Sequence, residues 1–153
     1  MLREHLVQLE IFVGPLLHSL LRSREATEEH LDDSDPKLRF AALVLMTHRW
    51  IPTEQFKNKC EEMAFKDSDT TVRSTAIGCL GSCYARTDNR RVEKLLANIV
   101  CNEMESYEVR RSAYVALFIV KSVNSEHMIT GDSFINLRIP EGVDWMFVRS
   151  MLT

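Results

Sequence analysis

Glycine and proline are scarce, with 5 and 4 in 153 residues. A chain with so few helix breakers, and with abundant Leu, Ala, Glu and Arg, favours long runs of helix. Cysteine is scarce as well. The 4 cysteines are Cys60, Cys79, Cys83 and Cys101, none in a C-x-x-C pair. Without a secretory leader they are expected to be reduced, small apolar core side chains of a cytoplasmic protein. There is no long hydrophobic run. The apolar stretch 6–21 is interrupted by Gln8, Glu10, Pro15 and His18, which excludes a membrane span. A basic surplus is missing too. A net charge of −3 and a pI near 6.0 argue against a field that wraps nucleic acid. His5, His18, His30, His48 and His127 form no H-x-x-x-H or H-E-x-x-H pattern, and no phosphate-cradling or nucleophile motif occurs. No metal, cofactor or catalytic residue is expected, and the chain reads as a non-enzyme.

What is present is enough for one folded domain. A hydrophobic share of 45% with 27% charged residues excludes disorder and supplies a core at this length. One pattern occurs three times. It runs from Asp33 to Met46, from Asp67 to Leu80, and more weakly from Ser106 to Leu117, where Glu103-Met104-Glu105 stands in place of an acidic pair. Aligned on Arg39, Arg73 and Arg110, the copies lie 34 and 37 positions apart. Four before each arginine stands a cap-former, Asp35, Asp69 or Ser106, whose side-chain oxygen can accept from free amides of a helix start. Leu38, Val72 and Val109 precede the arginines, and Ala42, Ala76 and Ala113 follow three later. With Met46, Leu80 and Leu117 they share one helical face. Pro36 suits the first helical turn. A small residue in a fixed slot lets a neighbouring helix come close.

Repetition at this period means stacked helical units, none able to bury its apolar face alone. The residues 33–122 resemble HEAT and HEAT-like repeats, whose second helix reads roughly D-x-D-x-x-V-R-x-x-A-x-x-x-L. The resemblance implies an all-α, right-handed α-α superhelix of three to four helix pairs. It also implies that Arg39, Arg73 and Arg110 are structural, bridging between repeats to acidic turn residues, with Asp33 and Asp67 as partners.

Four segments are expected: N-terminal helices and first repeat at 1–49, second repeat at 50–86, third at 87–124, and a modified C-terminal cap at 125–153. Helices are expected over 2–13 and from Pro15 towards Leu31, the latter ending in the acidic run Glu25, Glu28, Glu29, Asp32, Asp33 and Asp35. Further helices follow over 36–49, from a Thr53 cap with Phe56, Cys60, Met63 and Ala64 inside, over 67–85, from Asp88 or Asn89, and from Tyr107 to Val123. Beyond Asn124 the period-two segment 134–139 and a helix over 141–152 with Trp145 and Phe147 make up the cap.

A second stripe on the inner helices lies one, four, eight and eleven positions after each arginine. Its outer members, Phe40, Trp50, Tyr84, Arg111, Tyr114 and Lys121, are the residue types that dominate interfaces. They are expected to line a concave groove binding another protein or peptide. Two alternatives stay open. One is a lyase-like or chaperone-like subunit holding a tetrapyrrole-type ligand, implied by similarity to phycobilin lyases. The other is nucleic-acid binding through Arg86, Arg90, Arg91 and Lys94 with Arg110 and Arg111, the less favoured given the overall acidity.

Overall fold

The computed structural model describes residues 23–87 and 89–121. The expectations for 1–22, and the cap at 125–153, lie outside the described residues. Those described are all-α: six α-helices and one 3₁₀ turn, with no strand among them.

Helix α1 (Arg24–Glu29) runs into the 3₁₀ turn His30–Asp32. It is far shorter than a helix running from Pro15 to Leu31, because Ser23 caps its start by accepting from the Ala26 amide. Helix α2 (Pro36–Arg49) is capped by Asp35, which accepts from the Lys37 amide, and starts on Pro36. Helix α3 (Glu54–Lys66) starts on the Thr53 hydroxyl, and α4 (Thr70–Cys83) on the Asp69 carboxylate, which accepts from the Val72 amide. Asn89, one of the two expected starters, caps α5 (Arg90–Cys101). Ser106 accepts from the Val109 amide at the start of α6 (Tyr107–Lys121). Each cap satisfies an amide that the helix cannot.

Helix α4 packs against both α2 and α6, so α2, α4 and α6 form one row. The other helices lie behind this row: α1 and the 3₁₀ turn against α2, α3 against α4, and α5 against α6. One continuous core runs through the stack, from Leu31, Leu43 and Met46 to Val109, Leu117 and Val120. Ala42, Ala76 and Ala113 are all fully buried, as the repeated small slot requires.

The closest approach lies between α4 and α6. A Cβ built on Gly81 would sit 2.8 Å from Ala116 Cβ and 2.9 Å from its Cα, whereas one on Gly78 meets nothing within 4 Å. Two turns before Gly81, Ser74 and Ser112 share a hydroxyl–hydroxyl hydrogen bond across the same pair of helices. The two glycines therefore respond oppositely to alanine. Gly78→Ala is expected to stabilise by up to about 1 kcal/mol, the helix-propensity gain on an open face. Gly81→Ala is expected to destabilise by about 1–3 kcal/mol through overpacking. Urea denaturation of the two variants beside the parent checks both signs.

Candidate interaction surface

The N-terminal edge of the helix row is built from the repeated arginines. Arg39 Nε and Nη2 donate to the two Asp67 carboxylate oxygens at 2.8 and 2.7 Å, and Nη1 donates to the carbonyls of Asp33 and Ser34. Arg73 repeats the local half of this arrangement, donating from Nη1 to the carbonyls of Asp67 and Ser68. Its reach to the next turn is looser: Nη2 meets Glu105 at 3.2 Å, and Nε is buried without a hydrogen-bond partner. The reason lies in the turns. Asp67 follows α3 directly, whereas Asn102, Glu103 and Met104 separate α5 from Glu105. Arg110 instead donates to the Val100 carbonyl at the end of its own pair. Asp67 thus partners the arginine of the preceding copy, while Asp33 offers its carbonyl to Arg39 and its carboxylate to His30.

Burial works to raise the Asp67 pKa. The hydrogen bond from Arg39 and the Asp69 amide outweigh it and hold the carboxyl below the usual range. Asp33 is lowered as well, chiefly by the Asp35 amide and then by His30.

The stripe expected to line one groove is divided by the structure. Trp50 is half-buried beneath Arg49, 5.2 Å from the guanidinium to the ring centroid. Tyr84 turns to the rear layer, where Lys57 stands 5.0 Å from its ring centroid and Arg91 reaches its hydroxyl. Tyr114 is buried at 8% exposure, and Lys121 pairs with Glu93 of α5. Phe40 is half-buried against the core, and of the six only Arg111 and Lys121 are exposed. Neighbouring elements recruit these side chains through partners that the spacing along a single helix does not reveal.

The basic cluster is divided as well. Arg91 is taken up bidentately by Glu61 of α3 at 2.9 and 2.8 Å, and Arg110 is spent on Val100. Arg86, Arg90 and Lys94 are exposed.

The open face of the row lies elsewhere, on α4. Thr71, Gly78 and Ser82 are exposed and Thr75 is half-buried, at positions i, i+4, i+7 and i+11. These side chains are short, so α4 forms the floor of a trough between α2 and α6. On the α6 side, Val115 and Phe118 stand 46% and 41% exposed. A helical wheel of 70–83 carries the signal that would find this floor: one stripe of four small residues beside an otherwise apolar helix. On the rear side, a shallow depression lined by Leu31, Asp32, Asp33, Lys59, Glu62 and Asp67 is bridged by Lys59, which pairs with Asp32 and Glu62.

Cys60 and Cys79 lie in the core. The hydrogen bond with Cys79, then burial, push the Cys60 thiol up. Burial lifts Cys83 to about 11 and raises Cys101 as well. Among the described residues no three His, Cys, Asp or Glu side chains converge to hold a metal ion, and no helix is long and apolar enough to cross a membrane. No protein-family model, curated protein or solved structure matches the chain.

Three measurements follow from these side chains. In a double-mutant cycle, Arg39→Ala and Asp67→Ala are expected to couple by about 1–2 kcal/mol, as for a bidentate pair partly shielded from water. Because the folded pKa of Asp67 is depressed, its stabilisation is full above the ordinary aspartate pKa of about 3.9 and is lost as pH falls through the folded value. Asp67→Asn should therefore flatten the acid limb of the stability–pH curve relative to the parent. In thiol labelling at neutral pH, Cys83 and Cys101 are expected to react slowly from the native state. Cys60 and Cys79 should react only at the unfolding rate, as mapped by mass spectrometry.

Proposed function

We propose that this protein is a non-enzymatic interaction module of HEAT-like repeat type, a right-handed α-α stack whose inner row, α2, α4 and α6, binds another protein. Three features support the repeat reading. The arginine-to-carbonyl bonds recur at identical offsets in the first two copies. In both, the second aspartate's amide also donates to the first aspartate's side chain, at 2.9 Å. The rear helices each pack on the inner helix that follows them.

The observation that carries the binding reading is the trough. Thr71, Thr75, Gly78 and Ser82 leave the middle of the row open while every other side of α4 is packed. An inner helix with no binding role would gain stability from larger side chains there, and Gly78 in mid-helix costs about 1 kcal/mol relative to alanine. On the rear side the shallow depression is bridged by Lys59, and the surface charges are largely paired: Lys57 with Glu54, Lys59 with Asp32, and Arg91 with Glu61.

The test uses the open space at Gly78. Gly78→Trp places a large ring in the trough without touching the core, so the fold should be retained. Affinity capture from the source organism, with parent and variant compared by mass spectrometry, is expected to yield a stoichiometric protein partner that the tryptophan variant loses. A partner held equally by both proteins overturns the inner-face reading.

A further inference from the structure

The inner row differs from the rest of the protein in charge. Helices α2, α4 and α6 carry seven Lys and Arg against one acid, Glu108, although the whole chain is net negative at −3. The acids gather instead in α1, in the turns and on α3. Several of the seven bases are spent: Arg39, Arg73 and Arg110 on the turns, Lys121 on Glu93, and Arg49 on the Trp50 ring. Arg111 is exposed and makes no ion pair among the described residues.

Arg111 shares one exposed face of α6 with Val115 and Phe118, at spacings of four and three, and the exposed Glu108 stands one turn before it. At the far end of that face stands Arg86, just after α4. Its backbone amide donates to the Ile119 carbonyl at 3.3 Å, which fixes the turn onto α6. The Arg86 backbone is left-handed at φ 57, a conformation that glycine adopts without cost and other residues only with strain. Its side chain is exposed and is in no ion pair among the described residues. Arg111 and Arg86, neither in an ion pair among the described residues, therefore bracket an exposed apolar strip beside the trough floor. From Arg111 to Ile119 is eight residues, about 12 Å of helix.

We propose that this half of the trough is a docking surface for an amphipathic helix of another protein, one that carries apolar side chains between two carboxylates about two turns apart. Val115 and Phe118 receive the apolar side chains, and Arg111 and Arg86 receive the carboxylates. The proposal rests on the inner-face reading above and specifies its partner. Over Thr75 and Ser82 the floor can be covered without stranding a donor. Thr75 already donates to the Thr71 carbonyl at 2.7 Å, and Ser82 to the Gly78 carbonyl at 3.1 Å. Charge selects the sign of the partner, because like charges brought together across an interface are disfavoured.

The experiment uses a fluorescein-labelled helical peptide of about five turns with a leucine and alanine stripe between glutamates two turns apart, and its counterpart with lysines in their place. Binding to the full chain is read by anisotropy. The acidic peptide is expected to bind about tenfold or more tightly than the lysine peptide, with the preference shrinking as salt rises. The double variant Arg86→Glu, Arg111→Glu should reverse the preference. Arg86→Gly removes one charge while relaxing the turn, so it should weaken acidic-peptide binding and raise thermal stability. Phe118→Asp should abolish binding. Equal binding of the two peptides, no effect of Phe118→Asp, or tighter binding of a duplex oligonucleotide than of the acidic peptide overturns the proposal. If neither peptide binds while Gly78→Trp still loses a cellular partner, the acidic-helix assignment falls and the inner-face reading stands. If both fail, both readings fall.

Discussion

The arrangement of the stack depends on one guanidinium fork. Arg39 is anchored through Nη1 to two carbonyls of its own turn and aims Nε and Nη2 at both oxygens of Asp67 in the next. Apolar contacts between α2 and α4 pull the helices together but do not choose a rotation or a sliding position, because burial is non-directional. A small, fully buried residue such as Ala76 permits close approach without specifying register. The planar fork supplies the missing direction, since a bidentate guanidinium–carboxylate pair tolerates little displacement in its plane. Asp67 then does three things at once: its carboxylate accepts from Arg39 and from the Asp69 amide, and its carbonyl accepts from Arg73. The first rung thus positions the arginine that makes the second.

The second rung shows what happens when the turn changes. The turn carrying Glu105 is longer, and the glutamate meets Arg73 with one oxygen that also accepts from the Ser106 amide. Register between α4 and α6 is carried instead by shape. The absent side chain of Gly81 admits Ala116 at van der Waals limits, and the Ser74–Ser112 hydroxyl pair lies on the same seam. One junction is held by charge geometry, the other by close packing.

Much of the fold was legible in the sequence because the signals are local. Asp35, Asp69 and Ser106 accept from amides two or three residues on, and Ala42, Ala76 and Ala113 recur at one helical offset; both follow from bonds or contacts near in sequence. The exposed surface was less legible, because exposure depends on what a neighbouring element brings. Tyr84 and Lys121 sit at the same kind of offset as Arg111, yet Lys57 and Glu93 draw them to the rear layer. Gly78 and Gly81 are three residues apart on one helix, and only the approach of Ala116 distinguishes a packing glycine from an open one. The Arg73 partner was obscured for a different reason, since a lengthened turn displaced the acid from its aligned position.

Bulk charge was the least informative quantity, and the ladder explains why. A net charge of −3 describes the far field, whereas a partner meets the local one. Acids at Asp33, Asp67, Asp69 and Glu105 are used to cap helices and hold arginines at one edge of the stack, and Glu61 and Glu93 tie the rear layer to its neighbours. Each such use removes a carboxylate from the inner face and neutralises it within a few ångströms. Among the described residues, Arg111 and Arg86 are exposed and in no ion pair there, beside Glu108, apolar surface and a floor whose Thr75 and Ser82 hydroxyls are already satisfied. The same carboxylates that hold these turns and helices together thus leave the row α2, α4 and α6 with more bases than acids, unlike the chain as a whole.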